Sequence, residues 1–297
     1  APSTTTASSL LRKWLPLSLA PPSPPLPVVL SPLRPHPRAR SDLLLALVFT
    51  FLQLGIVSAL TYFKLASWAR AYIKAVGDAP REAWSAKDLL LVAALTNRGM
   101  AVSVLLGGAL LVGVLSLPQA LAGTAATSSL PLSVPVLAAL IPAALVDWRV
   151  QHLPTRLLSV AGAVLLLGMV LAWLGPQVAP AGIDDVAAPL RAGDLLRALG
   201  GGALVYIALA ALSLLPQLWG RAPGIGMGDA NLYVVLGPLL ALHGWSTLLM
   251  GLYLGFFFGG LVALALLLSG KLKLKGRIAF GPWLMAGAAA ALALSVS

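Results

Sequence analysis

Along the 297 residues, long apolar runs alternate with short polar and basic connections. Eight runs stand out, at roughly 43–63, 99–117, 130–147, 157–174, 198–216, 230–242, 245–268 and 278–296. A helix needs about 20 apolar residues to cross the hydrocarbon core of a bilayer, so each run is a candidate span. The pattern predicts an all-α polytopic membrane protein with about eight transmembrane helices. The sixth run is short. At 1.5 Å per residue it reaches only about 20 Å, against a core of about 30 Å. Either its first turn begins inside the membrane or a water-filled cavity reaches down to it, and Asp229 lies at that start.

The remainder falls around these runs. Residues 1–41 are rich in Pro, Ser and Leu, as in Pro21-Pro22-Ser23-Pro24-Pro25. Proline at that density prevents a regular helix, so a disordered N-terminal extension is expected. Arg12-Lys13 ahead of Trp14-Leu15-Pro16-Leu17 has a faint look of a signal peptide, but prolines interrupt the apolar run. Residues 42–129 form a group of N-terminal transmembrane helices, and 130–297 form a core holding both acids singled out below. Between the first two runs, loop 64–98 mixes charges with Trp68, Tyr72 and Trp84. That mixture suggests an amphipathic helix lying at the membrane interface.

Composition supports the lipid environment. Apolar residues make up 59% of the chain, charged residues 10%, and the mean hydropathy is +0.93. A soluble domain carries roughly a quarter charged residues. The net charge of +11 is confined to short loops and the N-terminal tail, without an interleaved aromatic surface. It argues for a topology signal and against a nucleic-acid partner. Loops 64–98, 148–156, 217–229 and 270–277 carry thirteen Lys and Arg, while 118–129, 175–197 and 243–244 carry only Arg191 and Arg197. The positive-inside rule assigns the first face to the cytoplasm. Without cysteine there is no disulfide, thiolate nucleophile or Cys-based zinc site. His36, His152 and His243 are too scattered for a metal cluster, so neither metal nor cofactor is expected.

Acids near membrane depth are costly and each one asks for a reason. Asp78, Glu82 and Asp88 lie among basic residues in the long loop, and Asp184, Asp185 and Asp194 belong to the Gly- and Pro-containing loop 175–197. Asp147 and Asp229 differ. Asp147 ends the apolar run Val136 to Val146, and Asp229 opens the short sixth run. The loop charges place both at the cytoplasmic ends of their helices, although 82 residues separate them. Two carboxylates across a small gap share one proton, because like charges at close range cannot both ionise cheaply. The ionised member then activates water while the protonated member polarises a carbonyl. Plainer roles stay open: Asp147 as the mark of a helix end beside Arg149, Asp229 as an N-cap, or both as proton or ion sites. His152 is close to Asp147 in sequence but reads as a solvated loop residue, His243 as part of a turn, and Trp148 and Trp245 as interfacial anchors.

The local sequence narrows the choice. Gly224-Ile225-Gly226-Met227-Gly228-Asp229 places glycine at alternate positions before the acid, allowing a substrate strand to approach the backbone. No Gly-Lys-Ser/Thr follows, so this is not a P-loop. Gly226-Met227-Gly228-Asp229 resembles the GxGD motif of intramembrane aspartic peptidases. Val146-Asp147-Trp148-Arg149 with Leu153-Pro154 resembles the first catalytic segment of the type IV prepilin peptidases, and Ala279-Phe280-Gly281-Pro282-Trp283-Leu284 resembles their C-terminal Phe-Gly-Pro element.

The resemblance spans residues 130–296 and implies an aspartic endopeptidase with Asp147 and Asp229 as catalytic acids. Gly226 and Gly228 would shape the second acid's loop. It further implies prepilin-like substrates, cut at a short basic leader after a glycine, on the cytoplasmic side of a bacterial plasma membrane. The paired Cys-x-x-Cys zinc motifs of the bifunctional members are missing, which implies peptidase activity without methyl transfer. Asn231 stands where the family often has lysine, and Val146 where presenilin-like peptidases have tyrosine. The alternatives are a proton- or cation-coupled transporter using Asp147 and Asp229, against which the lack of an inverted repeat counts, and a catalytically silent relative.

Overall fold

The computed structural model describes residues 37–76, 94–122, 130–178, 190–220, 225–270 and 278–295. Its elements are α1 (Pro37–Leu60), a π-helical turn (Thr61–Leu65), α2 (Ala66–Val76), α3 (Asn97–Ala122), α4 (Leu130–Val150) and α5 (Thr155–Val178). They continue with α6 (Ala192–Leu218), α7 (Met227–Leu242), α8 (Trp245–Leu268) and α9 (Gly281–Leu294). There is no strand among the described residues. Among the described residues six spans are long and apolar enough to cross a membrane, beginning with Ala46–Ala75 and including α4 and α6 through their full length; α7 and α9 are shorter. The chain is an all-α, multi-pass membrane protein. The shortness of α7 was legible in its run. That of α9 was not, because Ile278 to Phe280 precede the helix rather than belong to it.

The first rod differs from expectation at both ends. Helix α1 begins at Pro37, inside the segment expected to be disordered; residues 1–36 of that segment lie outside the described ones. Proline suits a first helical turn, where its missing N–H has no intrahelical acceptor. At the other end the helix does not stop near residue 63 but runs through the π turn into α2. No proline lies between Pro37 and Val76 to end it. Thr61 Oγ1 donates to the Val57 carbonyl (2.8 Å) where the winding changes. Thus Trp68 and Tyr72, expected on a separate interfacial helix, extend the first span, while residues 77–93 of that loop, including Trp84, lie outside the described ones.

Burial divides the helices into two groups. Helices α4 and α7 are central, with Val134 to Leu140 and Val235 to Leu242 buried. Helices α1, α3, α5, α6 and α8 expose large apolar side chains such as Phe51, Leu106, Leu167, Leu204 and Phe257. A soluble monomer rarely exposes so much continuous apolar surface, whereas lipid tails cover it without penalty. Helix α4 packs on α1, α3, α5 and α9, and α7 on α5, α6, α8 and α9, so α9 touches both central helices.

Because lipid is as apolar as leucine, close backbone packing holds such helices together more than water release does. Glycine supplies that closeness at two crossings. A Cβ on Gly237 of α7 would lie 2.8 Å from Gly202 Cα of α6, and one on Gly287 of α9 would overlap the Gly255 backbone of α8. Arg197 of α6 secures the far end of α7. Its guanidinium donates to the Ala241 and Leu242 carbonyls (2.8 and 2.9 Å) and pairs with Asp194 (2.9 Å). Both carbonyls lie in the last turn, where intrahelical donors run out; that of Ala241 also accepts the Gly244 N–H at 3.1 Å. Arg197, legible in sequence only as an outer-face charge, is a helix cap.

Candidate functional site

Asp147 lies in the last turn of α4 and is buried, with 4% of its surface exposed. Below it the chain turns sharply: the Gln151 N–H donates to the Asp147 carbonyl (2.7 Å), and Gln151 adopts φ 55°. A left-handed residue after a helix reverses the chain. Here the reversal folds Leu153-Pro154 back beneath the acid, and both are buried.

The side chain of Asp147 is held from 134 residues away. Its Oδ2 accepts the backbone N–H of Gly281 at 3.0 Å. Gly281 is the first residue of α9, so this amide is one of the unpaired donors at the positive end of a helix, where an anion is favoured. The neighbouring residues explain the position. Phe280 packs on Phe256 of α8 with ring centroids 5.7 Å apart, over the space left by Gly259. Pro282 occupies the first turn, where proline costs no helical hydrogen bond. Gly281 must lack a side chain: a Cβ there would stand 2.9 Å from Asp147 Oδ2 and 3.3 Å from Leu153 Cδ2.

Asp229 occupies the third position of α7, and Gly226 is the residue that caps the helix. The plain role left open for Asp229, that of N-cap, therefore falls to glycine. The half-buried Asp229 carboxyl turns back to the Gly226 backbone: a Cβ on Gly226 would stand 3.2 Å from Asp229 Oδ2. Gly228 faces the turn after α4: a Cβ on it would touch Leu153 Cβ at 3.4 Å, an ordinary contact. Leu153 is thus the common neighbour of Gly228 and Gly281, and it seats the two acid-bearing segments against each other.

The sequence-selected residues Asp147, Asp229, Gly226 and Gly228 are gathered at one end of the bundle. His152 is exposed, with Nδ1 3.0 Å from the Val150 carbonyl. Trp148 and Trp283 face each other with centroids 6.0 Å apart and line a cleft of about 220 Å³ with Gln151, Val262, Leu266 and Ile278. Two contributors escaped the sequence. Gly281 drew attention only as part of a motif, and nothing local announces that its amide reaches Asp147. Tyr233, one turn beyond Asp229 and fully buried, looked like any aromatic in an apolar run.

Chemically, the end of the bundle offers two carboxyls on segments joined through Leu153, one of them fixed by a backbone donor. Among the described residues no three His, Asp or Glu side chains converge as a metal site. No family model, curated protein or solved structure matches the chain significantly.

Proposed function

We propose that this protein is an aspartic endopeptidase of the prepilin-peptidase type, acting at the cytoplasmic face of a bacterial plasma membrane. The observation that carries the reading is that the segments bearing Asp147 and Asp229, acids 82 residues apart, meet over Leu153, with Gly281 of the Phe-Gly-Pro element bound to the first acid. Separate motifs that resemble one family in sequence thus meet in space.

In the proposed reaction the two acids share one proton. The ionised member removes a proton from water, and the resulting hydroxide oxygen attacks the peptide carbonyl carbon. The protonated member donates to the carbonyl oxygen, and collapse of the tetrahedral intermediate returns a proton to the leaving nitrogen. The Gly281 N–H fixes one oxygen of Asp147, leaving its other oxygen for this exchange. The preferred substrate is a prepilin-like precursor, whose short basic leader suits an acidic pair and whose hydrophobic segment suits the adjoining bilayer. Methyl transfer is not part of the proposal.

The test is cleavage of a prepilin-like peptide by the purified protein. Turnover is expected, with loss in both Asp147→Asn and Asp229→Asn while thermal unfolding shows each variant folded. Cation or proton flux without cleavage, lost in the same variants, would support the transport reading and overturn this one. Cleavage undiminished by either substitution would do the same to the acid pair.

A further inference from the structure

Tyr233 is completely buried, and its hydroxyl has no hydrogen-bond partner among the described residues. Leaving a buried hydroxyl unpaired is costly, and native proteins rarely do so without a reason. Its position supplies one. Tyr233 follows Asp229 by four residues on α7, which places both on one face of the helix. Helical side chains lean toward the N-terminus, so the ring lies back over the turn that carries Asp229. Asn231, two residues beyond Asp229, points to the other side of the helix.

We propose that Tyr233 is a positioning residue: its phenolic O–H donates through one water to the Asp229 carboxylate and holds it toward Asp147. The functional part of this inference rests on the peptidase reading, whereas the Tyr233–Asp229 pairing does not. The hydroxyl constrains Asp229 as the Gly281 N–H constrains Asp147, so each acid has one dedicated donor. One donor comes from a helix N-terminus and the other from a side chain one turn away. A phenol serves here where a lysine would not be needed, because a neutral donor orients the carboxylate without cancelling its charge.

Tyr233→Phe removes the hydroxyl and keeps the ring, so the fold should survive. The first measurement is the infrared spectrum of the full-length protein carrying ¹³C-carboxyl aspartate, without substrate. The Asp229 bands are identified by their loss in Asp229→Asn, and Tyr233→Phe is expected to shift them. The second is peptide cleavage, where a fall in kcat of about ten- to a hundred-fold with little change in KM is expected from losing a hydrogen bond to a charged group. If the bands do not move, the inference is overturned whatever happens to cleavage. A raised Tm with unmoved bands would show the hydroxyl to be only an unpaired polar group. Shifted bands in a protein that cleaves nothing would uphold the pairing and sink the peptidase reading alone.

Discussion

Gly281 is the most exacting residue of the site, and a single methyl group tests it. In Gly281→Ala the new Cβ would sit 2.9 Å from Asp147 Oδ2 and 3.3 Å from Leu153 Cδ2. The leucine can give way by a small rotation. The carboxylate cannot retreat without stretching the 3.0 Å bond from the Gly281 N–H. A hydrogen bond to a charged group contributes about 1.5–3 kcal/mol, so its loss at the transition state would slow turnover by about ten- to a hundred-fold. The stability change should be smaller. Overpacking costs about 1–3 kcal/mol, offset by about 0.5–1 kcal/mol from replacing glycine with alanine in a helix. Gly260→Ala in α8 is the control, since a Cβ there meets nothing within 4 Å. The assay is peptide cleavage alongside thermal unfolding in detergent. A Gly281→Ala protein that cleaves the peptide as fast as the wild type would refute the claim that this amide positions Asp147.

Three further outcomes follow from the packing. Gly287→Ala should lower thermal stability by about 1–3 kcal/mol, because its Cβ would overlap the Gly255 backbone rather than a movable side chain; an unchanged Tm would show the α8–α9 crossing to be looser. Arg197→Met should destabilise by about 1–3 kcal/mol by removing the guanidinium donors to the Ala241 and Leu242 carbonyls, and unaltered hydrogen exchange at the end of α7 would contradict this. The third concerns His243, in the turn between α7 and α8. Burial pushes its pKa below the usual histidine value, against the pull of its hydrogen bond to Leu239 and with added repulsion from Arg197. The unfolded chain therefore binds the proton more readily, and this residue's contribution is present above about pH 6.5 and lost as pH falls below it. Comparing Tm against pH for wild type and His243→Gln should show a shallower acid-side decline in the variant, and parallel curves would refute the assignment.

The sequence by itself determined the solvent and the rods. Composition and run length are local quantities, so an apolar chain with few charges declares its membrane environment and its helices one at a time. The positions of Asp147 and Asp229 at helix ends were legible for the same reason, as was the shortness of α7. Continuity was less legible: Lys64 and Trp68 look like a loop by polarity, yet without a proline or a cap the helix simply continues through them. Helix α9 was shortened by Phe280 and Pro282, whose roles depend on packing against α8 and not on hydropathy.

Only the tertiary structure decided what meets what. The bond from Gly281 to Asp147 spans 134 residues, and no periodicity encodes a distance of that kind. It exists because close glycine crossings set α7 on α6 and α9 on α8, and because the left-handed turn at Gln151 brings Leu153 under both glycines of the site. Helix ends are written in the local sequence, but their convergence is a property of how closely neighbouring backbones can approach.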